Sequence, residues 1–160
     1  KLIVLGANDP YWTVDAANLY FDGLQGRKYL YYQANTTHDV SLEGVATVVQ
    51  FFREMLDGTP FPELKWDVEG DSCLTVRWEK PGGDALLWEA VSPNRDFREV
   101  QWNSRALEGD GKVEVELEAP EQGWRAAYVE VKWPGSEGLP FGLTSRMVVT
   151  PEAVFPEGKN

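Results

Sequence analysis

Hydrophobic positions along the chain change their period once. Up to about residue 58, two short unbroken apolar runs, LIVL at Leu2 to Leu5 and YLYY at Tyr29 to Tyr32, are each followed by a stretch with helical spacing. Unbroken runs suit strands buried on both faces, so the pattern predicts β-α-β-α, with the two strands as parallel neighbours joined by a right-handed crossover. The first helix is expected near Asp15 to Asp22, through Leu19 and Tyr20, with Asp15 as its cap and Gly23 near its end; Ser41 is expected to cap the second. In that second helix Leu42, Val45, Val48, Val49, Phe52 and Leu56 recur at helical spacing, which predicts that this face is core.

The stretch GTPFPEL, Gly58 to Leu64, carries two prolines that break regular structure, and beyond it the pattern alternates with period two. Strands are expected at LKWDVE, CLTVRWE, ALLWEAV, REVQW, KVEVELE, AAYVEVKW and LTSRMVVT, with turns at PGGD, GDG and PGSEG. About seven strands without helices suggest an immunoglobulin-like or fibronectin-like sandwich of two antiparallel layers from about Lys65 to Thr150. Trp78, Trp88 and Val129 are expected to face inward, as are Trp66 and Trp133, with Tyr128 outward or bonded to backbone at a corner. The fold class is thus α/β plus all-β. The boundaries fall at 1–58 for the first part, 59–64 for a linker, 65–152 for the β-sandwich and 153–160 for a tail.

Composition narrows the partners. A hydrophobic content of 42% is that of a folded globular chain, and a formal net charge of -11 repels nucleic acid and anionic membrane surfaces. A single cysteine, Cys73, excludes an internal disulfide, and with one histidine there is no sulfur and imidazole cluster for zinc; no metal or cofactor is expected. The first residues, KLIVLG, hold an apolar run of four, far short of a signal-peptide core or a membrane span, and there is no initiating Met, so the chain is expected to begin inside a longer protein.

The only histidine, His38, follows the second apolar run within NTTHD, and Asp9 follows the first within GANDPYW. In a serine hydrolase an acid orients a histidine, which takes the proton of a nucleophilic hydroxyl. Groups that leave parallel strands at the same carboxyl edge meet there, because that edge is where an open α/β sheet gathers its reactive residues. Asp9 and His38 are therefore expected within hydrogen-bond reach, roughly 2.6 to 3.2 Å.

These residues resemble a family. LIVLGANDPYW and NTTHD are similar to the acid and histidine loops of α/β-hydrolases, and more narrowly to those of the PhoPQ-activated pathogenicity-related protein family. LLWEAVSPNRDFR, Leu86 to Arg98, with GWRAAYVEV and LTSRMVVTP, Gly123 to Val131 and Leu143 to Pro151, resembles that family's carboxyl-terminal β region. The resemblance implies the carboxyl-terminal part of an α/β-hydrolase, with Asp9 as acid, His38 as general base, and a secreted or periplasmic setting. A nucleophile elbow, G-x-S-x-G on a strand-to-helix turn, should precede the acid and is absent from this sequence. PGSEG around Ser136 has Pro134 at the first glycine position and lies between β-strands, while Ser41 is placed to cap a helix. A missing amino-terminal hydrolase portion, or a companion chain from the same precursor, is expected to supply the serine and the oxyanion-hole amides and to cover an apolar sheet edge and helix face.

Two functions stay open. One is ester or amide hydrolysis by a Ser-His-Asp triad on an unknown substrate, with this chain alone inactive. The other is a non-catalytic binding or signalling protein that keeps a hydrolase-like scaffold. Tyr11 and Trp12 are candidates to line a substrate pocket, though aromatics after a strand also serve packing. Asp15 is the next acid should Asp9 point away, and the acidic run Glu114 to Glu121 reads as a strand with its charged face in water.

Overall fold

The computed structural model describes residues 1–70 and 72–151, so the tail from 153 onward lies outside the described residues. Among the described residues the chain is mostly β-sheet with one α-helix. Strands β1 (Leu2–Gly6) and β2 (Tyr29–Gln33) pair in parallel with Leu2 opposite Tyr29 and Gly6 opposite Gln33, as the two apolar runs predicted. Every residue of β2 is buried, which accounts for its unbroken apolar run.

The connection between these strands corrects the sequence reading. Instead of a helix over Asp15 to Asp22 there is a four-residue 3-10 turn, Ala16–Leu19, and Asp15 makes no capping hydrogen bond with its side chain. Its carboxylate is drawn to Arg95, at 2.7 Å, and the Asn18 amide donates to the Met147 carbonyl at 2.8 Å. Both side chains that could have served a helix are thus committed to distant backbone or charge.

Helix α1 (Leu42–Asp57) begins as expected, with the Ser41 Oγ accepting from the Gly44 N–H at 3.1 Å, and ends at Gly58 in the left-handed region, φ 69°. Its orientation is a second correction. The buried positions are Gly44, Thr47, Phe51 and Glu54, whereas Leu42, Val45, Val49, Phe52 and Leu56, assigned to the core by their spacing, are exposed. The chosen face is the one that fits the backbone beneath it. A Cβ at Gly44 would lie 2.2 Å from Gln33 Oε1, Thr47 Oγ1 accepts from the Gly142 N–H at 3.1 Å, and Glu54 pairs with Lys80 at 3.3 Å.

The remaining strands form two antiparallel sheets. One is β3 (Leu64–Glu69), β4 (Cys73–Trp78) and β7 (Lys112–Glu116) in the order β3-β4-β7. The other runs β10-β8-β5-β6, with β9 also on β8; its strands are β5 (Asp84–Ser92), β6 (Asn103–Leu107), β8 (Trp124–Trp133), β9 (Phe141–Thr144) and β10 (Val148–Thr150). Leu74, Val76, Trp78, Val113 and Val115 of the first sheet share one core with Leu87, Val129, Val131 and Trp133 of the second. REVQW is not a strand: β6 starts at Asn103, because the carbonyls of the preceding segment are taken by side chains of the first part of the chain. LTSRMVVT is two strands, β9 and β10, both on β8 and interrupted at residues 145–147.

The second sheet is covered on both faces, so β8 is buried along most of its ten residues. Its outer face carries Ala126 and Tyr128, which pack with Leu30, Tyr32 and Trp102. Tyr128 therefore points out of the space between the two sheets and is still fully buried, with its ring 5.5 Å from that of Tyr32. Trp88, expected inward, lies on this same outer face, where its Nε1–H donates to the buried Glu130 carboxylate at 2.7 Å. Trp66 is half-buried and reaches across to Phe21, 5.6 Å between rings. At the edge of β2 the hydroxyl of Thr144 accepts the Tyr32 N–H at 3.1 Å and donates to the Leu30 carbonyl at 3.4 Å, standing in for a ladder rung.

Candidate functional site

The site is built where β1 and β2 run out into loops. The pairing continues past the strands, with the Ala7 N–H donating to the Gln33 carbonyl at 2.9 Å and the Asn8 N–H to that of Thr36 at 3.0 Å. Gly6 makes this closeness possible. A Cβ there would stand 1.8 Å from the Thr37 carbonyl oxygen and 2.5 Å from that of Thr36, so only glycine lets the two loops touch. Gln33 holds the far end of the histidine loop, its Oε1 accepting from the Ser41 N–H at 2.8 Å and from the Ser41 hydroxyl at 2.7 Å.

Asp9 is 8% exposed. Its Oδ1 accepts from the Tyr11 N–H at 2.8 Å and more weakly from the Trp12 N–H at 3.3 Å, an Asx turn started by the Asn-Asp-Pro sequence. The other oxygen, Oδ2, is 2.6 Å from His38 Nδ1, within the span expected from the sequence. Burial pushes the Asp9 carboxyl up, but the His38 hydrogen bond and the Tyr11 and Trp12 amides outweigh it and hold the group below the usual carboxylate value. The His38 side chain is 59% exposed. Its Nε2 makes no hydrogen bond among the described residues, and the Tyr11 ring meets the imidazole edge-on at 5.0 Å.

Tyr11 and Trp12 are both largely exposed beside the pair. They border an open cleft of about 340 Å³ with Pro10, Asn94, Arg95 and Arg98. Trp12 also borders an apolar slot of about 140 Å³ with Leu5, Val14, Ala17, Tyr20 and Tyr32, and Asp9 lines it too. Asp15 is not beside His38 but in its ion pair with Arg95. The Ser41 hydroxyl is engaged in its cap and with Gln33, and that of Ser136 with Gln50 Oε1 at 2.9 Å. Among the described residues no group of three or more His, Cys, Asp or Glu is arranged to hold a metal ion, and no helix is long and apolar enough to cross a membrane.

Sequence reasoning passed over Gly6, Asn8, Gln33 and Asn35. The Asn8 Nδ2 lies 3.1, 3.2 and 2.8 Å from the carbonyls of Phe97, Arg98 and Val100, and Asn35 exchanges two hydrogen bonds with the Trp102 backbone, at 2.8 and 3.0 Å. The available signal was position: Asn8 directly precedes Asp9, and Asn35 opens the run that ends at His38 and Asp39.

No curated protein and no solved structure matches the chain. The family profile described as PhoPQ-activated pathogenicity-related protein matches residues 1–98. The matched stretch contains both loops of the Asp9–His38 pair, α1 and the first three strands of the β-rich region, and ends inside the segment that Asn8 grips; the likeness read at Gly123 to Val131 and Leu143 to Pro151 falls beyond it. With that match over more than half its length, the chain belongs to the PhoPQ-activated pathogenicity-related protein family.

Proposed function

We propose that this chain supplies the acid and the general base of a serine-type α/β-hydrolase that cleaves ester or amide bonds, and that the nucleophile comes from sequence outside these residues. The observation that carries the reading is the 2.6 Å contact of Asp9 Oδ2 with His38 Nδ1 at the carboxyl edge of a parallel strand pair. Asp9 stays ionised at neutral pH, its carboxyl being held low, and so keeps the imidazole proton on Nδ1. Nε2 is then the basic nitrogen. It takes the proton of a serine hydroxyl as that oxygen attacks the acyl carbon, and returns it to the leaving group when the carbon–heteroatom bond breaks. Asp9 stabilises the imidazolium that exists between the two transfers.

The apolar slot next to Asp9, at about 140 Å³, is of a size to take a benzene-sized apolar group. The exposed positions Leu42, Val45, Val49, Phe52 and Leu56 alternate spacings of three and four along α1, which is the seam a second helix packs against. Beside it β1 pairs only with β2 among the described residues. The remaining hydrolase portion, or a companion chain from the same precursor, covers both, since soluble proteins do not leave such edges and stripes open. A secreted or periplasmic setting rests on the family resemblance alone. The rival reading is a binding or signalling protein that keeps the scaffold without the chemistry.

The test is labelling by a fluorophosphonate probe. This chain alone should not label or turn over esters above background, whereas the longer protein should label at a serine in an elbow turn. His38→Ala should abolish that labelling with the fold intact, and Asp9→Asn should slow turnover on the order of 10⁴-fold. Labelling of Ser41 or Ser136 in the isolated chain would refute the assignment, and Gly, Ala or Asp at the elbow of the longer protein would favour the rival.

A further inference from the structure

We propose that the segment from Phe97 to Trp102, which belongs to the β-rich region, is a positioning brace for the acid and histidine loops, and that Asn8 and Asn35 are the positioning residues that engage it. The proposal rests on the hydrolase reading for its purpose, but its geometry stands without it. Asn8 is 6% exposed and turns its amide nitrogen onto three carbonyls of the segment, those of Phe97, Arg98 and Val100. Its Oδ1 is buried without a hydrogen-bond partner among the described residues, so the amide is held there for its donors. Asn35 grips the far end of the same segment, its Oδ1 accepting the Trp102 N–H and its Nδ2 donating to the Trp102 carbonyl. That exchange reproduces with one side chain the double bond pattern of an antiparallel strand pair.

The brace is rigid because its side chains are rooted in the core. Phe97 and Trp102 are 3% and 1% exposed, and the Trp102 ring lies 5.5 Å from that of Tyr128 in the middle of β8. A single backbone segment, anchored in the sheet, thus fixes the residue before Asp9 and the residue three before His38. Arg95 adds a further link through Asp15, at 2.7 Å. The titratable and charged side chains around Asp9 are His38, to which it is bonded, and Arg95, Asp96 and Arg98, which line the same cleft. The β-rich region is by this account part of the catalytic framework, which explains why its backbone gives up ladder pairing before β6.

Deleting the brace in this chain tests the proposal without needing a nucleophile. Asn8→Ala removes the first grip. Asn35→Gly removes the second without strain, because Asn35 sits at φ 54°, where an alanine would be strained. Asn18→Ala is the control: it removes an amide bond of the same kind, from the 3-10 turn to Met147, that touches neither loop. The readouts are the Asp9 carboxyl titration by ¹³C NMR and hydrogen exchange of the Tyr11 and Trp12 amides that Asp9 holds, alongside thermal unfolding. The brace variants should move the Asp9 titration up toward the ordinary carboxylate value and speed exchange of those two amides by roughly tenfold, the factor for losing about one net hydrogen bond. The control should leave both as in the wild type even where its melting temperature falls equally. Unchanged titration and exchange in both brace variants, or a shift as large in the control, would overturn the proposal. If Asn8→Ala fails to fold, Asn35→Gly decides alone. A longer protein that fails to label with the probe would count against the hydrolase reading and leave the brace result standing.

Discussion

Gly6 is the position where a single methyl group should separate the acid from the histidine. A Cβ added there would lie 1.8 Å from the Thr37 carbonyl oxygen, and such atoms do not approach below 3.0 Å, so the histidine loop must retreat by at least 1.2 Å, the difference of the two. Taken along the Asp9–His38 contact of 2.6 Å, that retreat stretches it to about 3.8 Å, beyond hydrogen-bond range. The Asn8 N–H to Thr36 carbonyl bond spans the same gap and should open with it. Forced insertion into packed structure costs about 1–3 kcal/mol, and the charge-assisted bond adds about 1.5–3, so Gly6→Ala should lose roughly 2.5–6 kcal/mol. A domain stable by about 10 kcal/mol still folds with that loss, but at about 2–4 °C per kcal/mol its melting temperature should drop by about 5–24 °C. The assay pairs thermal unfolding with the low-field NMR resonance of the His38 Nδ1 proton, which should vanish in the variant. Gly26→Ala is the control, since its φ of 77° brings strain but nothing lies within 4 Å of the added carbon; it should cost about 1 kcal/mol and keep the resonance. A Gly6→Ala protein that melts with the wild type and retains the Nδ1 proton would refute the reasoning.

Two further outcomes follow from particular groups. Because the Asp9 carboxyl is held below its ordinary value of 3.8, it stabilises the fold above that pH and loses the contribution as pH falls through its lowered value; urea unfolding should show Asp9→Asn weaker than the wild type at pH 7, with the gap closing below about pH 4. A gap that persists undiminished at pH 2 would show that the loss is not electrostatic. In α1, Phe51→Ala should cost about 3–5 kcal/mol and Phe52→Ala under about 1, because Phe51 is 8% exposed and Phe52 is 56% exposed; chemical denaturation of the two variants of this chain would show the reverse order if the helix were turned as its apolar spacing suggests.

The case of α1 marks where the sequence runs out. Period and caps are local, so the alternation after Leu64, the two unbroken runs and the Ser41 and Gly58 boundaries could all be read from neighbours along the chain. Which face of a helix is buried depends on what lies under it. Here that surface offered Gln33 Oε1 and the Gly142 N–H, so a small and polar face was selected over Leu42, Val45 and Phe52. The same holds for REVQW, whose alternation suggested a strand: its carbonyls bond to Asn8, some ninety residues away in the sequence, and no local pattern announces a partner of that kind. It holds again for Trp88 and Tyr128, since period two places them on one face of a sheet but cannot say that this face is covered by β2. In the site itself, the chain order of strand, loop and acid, then strand, loop and histidine, sufficed to bring Asp9 and His38 to the same edge. The 2.6 Å between them was decided by tertiary structure, through a glycine with no room for a Cβ and two asparagines anchored to a distant segment, because a hydrogen bond is fixed to tenths of an ångström and sequence periodicity only to the nearest residue.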